Sequence, residues 1–187
     1  MRCPRCSTEV TDALPTCAGC GFGIADLDDL LGEPPPCRGR VTDDAKLLSP
    51  DGLVRIEERA RAFEGRTGAE LRVVTRETTK PVKPGEYAFW LFNRWDVGDI
   101  GGQDVNRGLL VLVAKAERSI WCEVGHGLEG LVTDAAAGQV LEEHAVPFLA
   151  RGEVDDGVFQ AVDVLSQVVE GGRERPPLWR RILGGAR

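Results

Sequence analysis

The sequence predicts an α/β domain, a small sheet covered by helices on both faces, preceded by a metal-binding cysteine module. Three observations predict it. Apolar spacing alternates between helical and strand periods in the order helix, strand, helix, strand, strand, helix, helix. One run, "GLLVLVA" (108–114), is apolar throughout, as a central strand covered on both sides must be. Ahead of these elements stand four cysteines in two Cys-x-x-Cys pairs, Cys3/Cys6 and Cys17/Cys20.

Each element has its own signal. Ser49 is a helix N-cap with Pro50 at the first helical position, and Leu53, Ile56, Ala60 and Phe63 follow at helical spacing until Gly65 or Gly68 ends the run. "ELRVVT" (70–75) is a β-branched strand, "PVKPGE" a breaker, and "YAFWLFNRW" (87–95) an apolar helix. "RSIWCEV" (118–124) alternates and pairs with 108–114 through the short "KAE" turn. Helices at about 134–145 and 155–170, separated by "VPFLARGE", close the domain. A short strand in "RGRVTD" (38–43) makes the sheet four-stranded, and helices on both faces make a three-layer α/β/α arrangement. Composition divides the chain into a cysteine module (1–25), an acidic and Pro-rich linker (26–40), a globular domain (41–170) and a basic tail (171–187).

Charge and composition narrow the functions. The 187 residues carry a net charge of −7, which argues against a nucleic-acid binder, since phosphate contacts need clustered Lys and Arg. The opening "MRCPRCSTEV" has no apolar signal region, and "LLVLVA" (109–114) is too short to span a bilayer. The expected setting is cytoplasmic and reducing, where paired cysteines are metal ligands before they are disulfides. Two knuckles separated by ten residues supply the four thiolates that tetrahedral Zn²⁺ prefers, the pattern of a short zinc ribbon; iron is the chemical alternative. Such a closed site is structural, and its outer face offers a surface to a protein partner. Cys37 has no evident role, and Cys122 belongs to the core, as do Trp90, Trp95 and Trp121. The tail "RPPLWRRIL" joins basic and apolar residues; its length suits a disordered terminus first, with weak peripheral contact with a membrane surface or a partner groove as the alternative.

The stretch "EVGHGLEGLVTDAAAG" (123–138) holds more glycine and more ligand-type side chains than a turn requires. A second loop, "DVGDIGGQDVNRG" (96–108), precedes the central strand with a similar composition. Composition alone reads these first as solvated loops; oxygen ligands on Gly-rich backbone at strand ends also suit Ca²⁺ or Mg²⁺, although the spacing is not that of an EF-hand.

These loops, with "YAFWLF" before them and "VPFLARGEVDDGV" after, resemble the TPM domain family, which includes a thylakoid lumen protein and a photosystem II repair factor. The similarity runs from about "VTDDAKLLSP" (41–50) to "VLSQVV" (164–169). It implies an α/β/α sandwich with a small mixed sheet, divalent-cation binding and, in some members, hydrolysis of phosphate monoesters; others act in membrane-protein assembly without catalysis. The acidic positions carried over are Asp43, the loop from Asp104 to Asn106, and Asp134, with Glu129 as a further one. Two departures stand out: Asn106-Arg107-Gly108 where many members have Asp-Asn-Gly, and Gly125-His126-Gly127 where many have Gly-Tyr-Gly. In a phosphatase, Asp43, Asp104 and Asp134 would hold the cation, Arg107 would neutralise phosphoryl charge, and His126 would be the acid. In the competing reading, the ribbon and the domain are a non-catalytic adaptor for protein partners.

Overall fold

The computed structural model describes residues 3–9, 16–99 and 106–174. Asp104 and residues 175–187 of the tail lie outside the described residues. The sheet has four strands: β1 (Val41–Asp43), β2 (Glu70–Arg76), β3 (Gly108–Ala114) and β4 (Ser119–Val124), in the order β1-β2-β3-β4. β1 and β3 run parallel to β2 and β4 runs antiparallel to β3, so the sheet is mixed. The reason lies in the connections: α2 (Pro50–Thr67) and α3 (Pro84–Arg94) carry the chain back between parallel strands, whereas β3 and β4 are joined by a short hairpin.

Every residue of β3 is buried, and its side chains alternate between two cores. Leu109, Val111 and Val113 face Ile56, Ala60 and Phe63 of α2, and Val158, Ala161 and Leu165 of α6 (Val154–Glu174). Leu110 and Leu112 face Tyr87, Trp90 and Leu91 of α3 on the other side. The three layers are therefore α2 with α6, the sheet, and α3. Helix α2 starts as its sequence dictates: the Ser49 hydroxyl accepts from the Gly52 N–H at 3.0 Å, and Gly68 ends the helix at φ 62°.

Two stretches differ from the sequence expectation. Residues 24–31 form a helix, α1 (Ile24–Leu31), which covers the first part of the segment read as a Pro-rich linker. Its acids obscured an apolar stripe: Leu27 is fully buried beside α3, where the Trp90 indole N–H donates to Asp28 Oδ1 at 3.0 Å and Arg94 forks onto the same carboxylate. The second is "VPFLARGE". The helix α4 (Asp134–Val140) widens into a π-helical turn at Leu141–Ala145 and continues as α5 (Val146–Ala150). Pro147 lies in the first turn of α5, where its missing N–H is tolerated, and the wide turn absorbs the break. Helix α6 runs on to Glu174, into the segment read as tail. Among the described residues, no helix is long and apolar enough to cross a membrane.

Trp90 is buried as expected, but Trp121 is 41% exposed. Its ring lies on α3 at Gly85, where even a β-carbon would come within 2.9 Å of it. Strand β4 is an edge strand, so the tryptophan is covered from one side only.

Candidate functional site

Two knuckles of identical build carry the cysteines. In each, the N–H of the fifth residue bonds back to the first cysteine carbonyl, Ser7 to Cys3 at 2.9 Å and Gly21 to Cys17 at 2.8 Å. Ser7 and Gly21 take φ of 62° and 72°, the left-handed turn that aims both sulfurs of a knuckle to one side. The four sulfurs lie within 4.8 Å of one another, with Cys3–Cys20 at 3.8 Å and Cys6–Cys17 at 3.6 Å. A tetrahedral centre with metal–sulfur bonds of about 2.3 Å has sulfur–sulfur edges of about 3.8 Å. The thiols are thus spaced for one four-coordinate metal ion. The Gly19 N–H donates to Cys17 Sγ at 3.3 Å and the Thr8 hydroxyl lies 3.2 Å from Cys6 Sγ, contacts that support ionised sulfur. Cys3, Cys17 and Phe22 are part of the α3-side core, and Arg5 pairs with Glu86 of α3 at 2.8 Å while stacking over Phe22.

The glycine-rich loops meet at the start of β3. Three glycines let three backbone segments converge. A β-carbon on Gly98, which sits at φ 86°, would lie 2.2 Å from the Gly108 nitrogen; one on Gly108 would lie 2.6 Å from the Val97 carbonyl oxygen; one on Gly125 would lie 2.5 Å from Asn106 Oδ1. The segments are stitched by Arg107 N–H to the Gly98 carbonyl, Gly125 N–H to the Gly108 carbonyl and Gly127 N–H to the Asn106 carbonyl, at 3.0, 2.8 and 2.7 Å. The Asn106 side-chain oxygen is buried here with no hydrogen-bond partner among the described residues. The glycines of both loops therefore serve close backbone approach, and the strand pairing of β3 with β4 continues through them.

The expected site residues do not all gather. Asp43 ends β1 and pairs across to Thr75 and thence Val113, about 20 Å along the sheet from Asn106. Its carboxylate accepts from the Leu47 and Leu48 N–H groups at 3.0 and 3.1 Å and from the Thr75 hydroxyl at 2.5 Å, so it caps its own loop. Arg107 donates to the Thr67 carbonyl at 3.4 Å, at the C-terminus of α2, where a cation meets the negative end of the helix dipole. His126 is exposed on a 3₁₀ turn (His126–Leu128), with Nδ1 3.3 Å from Glu129 Oε2. Among the described residues, the four cysteines are the only group of three or more His, Cys, Asp or Glu close enough to share an ion.

Glu129 and Asp134 do share a neighbour that the sequence pattern did not single out. Glu123 on β4 is 8% exposed, and its carboxylate accepts from the Trp121 indole N–H at 3.2 Å. Burial pushes its carboxyl up to about 8, and the charges of Asp134 and Glu129 add to the rise. The only sequence signal was a charged residue at an inward position of an alternating strand. Beside it, burial raises the Cys122 thiol as well, so this core cysteine stays protonated.

A pH prediction follows from Glu123. Its folded pKa lies above the unfolded value, so the folded state holds the extra proton; stability is full below about pH 4.5 and declines as pH rises through about 8. Melting temperatures of Glu123→Gln should lose this decline between pH 5 and 8, and parallel curves for the two proteins would refute it.

Glu123 also opens onto a groove of about 560 Å³ along β4. One wall is the first cysteine knuckle, at Cys3, Pro4 and Ser7; the other is α4 with its π-helical turn, at Asp134, Leu141 and Glu142.

Comparison with known proteins places this geometry. The N-terminal domain of a protein from P. gingivalis, solved in solution, is 27% identical, with a TM-score of 0.65 over 72% of this chain and 84% of that one. The N-terminal domain of the cg2496 protein from Corynebacterium glutamicum (15% identity, TM-score 0.56, 73% and 83% covered) and the BA42 protein from the psychrophilic Bizionia argentinensis (17%, 0.57, 69% and 86%) share the fold. No curated protein matches. The TPM domain profile matches residues 41–168, from β1 into α6 and through every glycine of the convergent loops. The chain belongs to the TPM domain family.

Proposed function

We propose that the protein is a non-catalytic adaptor, in which a zinc-bound ribbon and the TPM domain together hold a protein partner. The observation that carries this reading is the direction of Arg107. A phosphatase built on the sequence pattern needs its guanidinium facing the phosphoryl group beside His126; instead it donates to the end of α2, while His126 pairs with Glu129 at the surface. Asp43, occupied by its own loop, stands at the far end of the sheet from Asn106. Zinc is the metal assigned to the ribbon, because four thiolates at tetrahedral spacing suit it and a closed site gives it a structural role. Such thiols remain ligands in a reducing, cytoplasmic setting.

The test is hydrolysis of p-nitrophenyl phosphate by the zinc-loaded chain between pH 4.5 and 8, with and without Ca²⁺ or Mg²⁺. The expected result is no turnover above buffer and no difference between wild type and His126→Ala. Turnover that disappears in both His126→Ala and Arg107→Ala would overturn the adaptor reading in favour of the enzyme.

One observation favours a second property, a divalent cation at the convergent loops. The buried Asn106 oxygen, without a hydrogen-bond partner among the described residues, is a hard ligand near the acids Glu129 and Asp134 that act on Glu123. Calcium titration should then raise the melting temperature, and Asp134→Ala or Asn106→Ala should remove that rise.

A further inference from the structure

The unpaired edge of β4 lies inside the groove between the ribbon and α4. Which backbone groups it offers follows from the ladder. Gly125 N–H bonds to the Gly108 carbonyl and Gly127 N–H to the Asn106 carbonyl, both in the register that pairs Leu110 with Glu123 and Leu112 with Trp121. Residues 119, 121 and 123 therefore direct their N–H and C=O groups at β3, and Ile120, Cys122 and Val124 direct theirs outward. Those of Ile120 and Cys122, which line the groove, have no backbone partner among the described residues, whereas Val124 is fully buried. An open edge of this kind is a template for one more strand.

The walls determine what that strand can be. On the α4 side the groove is apolar at Ile120, Cys122, Leu141 and Val146. On the ribbon side lies the Glu123 carboxylate, and Asp134 and Glu142 stand at the α4 rim; among the described lining residues Arg118 is the one basic side chain. A fifth strand presents alternate side chains to these two sides. The complementary occupant has apolar residues toward Leu141 and a lysine or arginine opposite Glu123, whose cation would ionise the otherwise protonated carboxyl on binding.

We infer that this groove binds an extended segment of a partner protein in which basic and apolar residues alternate, added to β4 as a fifth strand. The inference rests on the adaptor reading above and gives its partner a chemistry. It also gives the ribbon a task, since the first knuckle is one wall of the groove. The companion groove of about 250 Å³ shares Arg118, Ser119, Ile120 and Val146 with it and continues the path toward Leu149 and Val154.

The probe is a pair of capped peptides, Val-Lys-Val-Lys-Val and Val-Glu-Val-Glu-Val, titrated into the zinc-loaded full chain and followed by amide NMR. The lysine peptide should move the amides of Ile120, Cys122 and Val124, and the glutamate peptide should bind at least tenfold more weakly. Ile120→Pro removes an outward N–H and no bond to β3, so it should weaken the lysine peptide at least tenfold with an unchanged fold. Glu123→Gln should reduce the preference between the peptides to within about threefold. If neither peptide moves these amides, or if Ile120→Pro binds as wild type does, the fifth strand is refuted. Two other occupants would also overturn it. Arg180→Glu with Arg181→Glu shifting those amides in the absence of peptide would mean that the chain's own tail lies there, and their loss on dilution would mean a second copy. Phosphatase turnover is read in its own assay, so failure of the groove and failure of the adaptor reading are separable.

Discussion

Replacing Gly98 by alanine is expected to destabilise the domain by about 4 kcal/mol or more and to lower its melting temperature by about 10 °C or more. The added carbon would meet backbone, not a movable side chain: the Gly108 nitrogen at 2.2 Å and the Arg107 carbonyl carbon at 2.5 Å. The residue also sits at φ 86°, which an L side chain rarely adopts. Relief requires the loop to leave β3, and with it the bond from Arg107 N–H to the Gly98 carbonyl. The control is Gly65→Ala, in the body of α2 with nothing within 4 Å of the added carbon. It should gain about 0.5–1 kcal/mol through helix propensity. Thermal melting of the two variants tests the contrast, and similar melting points would show that the loops yield more easily than their packing implies.

Stripping the metal from the ribbon is the second large effect. A four-thiolate site binds zinc with about 10–16 kcal/mol at neutral pH, and in modules this small that energy is folding energy. The apo ribbon should therefore unfold. The loss does not stop there, because Cys3, Cys17 and Phe22 belong to the core on the α3 side, where Phe22 stacks with Phe89 at 5.9 Å. Releasing one such ring costs about 1.5–3 kcal/mol of burial, so the remaining domain should melt about 5–10 °C lower. Elemental analysis with melting before and after chelation makes the measurement. One zinc per chain with a melting point that falls on chelation is the expected result. A domain whose melting point ignores the chelator would mean that the ribbon packs without contributing.

The two parts of the molecule differed in how well their sequence revealed them. Local signals were sufficient where the cause is local: Ser49 caps α2, and an all-apolar run became the doubly covered β3. Cys-x-x-Cys spacing sufficed too, since a knuckle closes within five residues. What depended on distant contacts was hidden. Helix α1 looked like an acidic linker because its reason to form, Leu27 and Asp28 against Trp90 and Arg94, lies more than sixty residues away. Asp43 had the right type for a metal ligand, but parallel pairing of β1 places it at the wrong end of the sheet. The glycines of 96–108 and 123–138 marked a site by composition. Only the register of β3 with β4 shows that they clear space for one another, and that Glu123, two residues before Gly125, is the buried acid.

The two covers of the sheet come from different times in the life of the chain. Residues 48–169 on the α2 and α6 face form a core from the domain alone, whereas the opposite face is finished by residues 3–31. During synthesis the ribbon leaves the ribosome before its landing surface on α3 (Pro84–Arg94), which follows some sixty residues later. A nascent chain short of metal would complete one face and display Phe89, Tyr87 and Trp90 on the other, a surface that chaperones bind. Metal supply would then set how much of the newly made protein completes its second face.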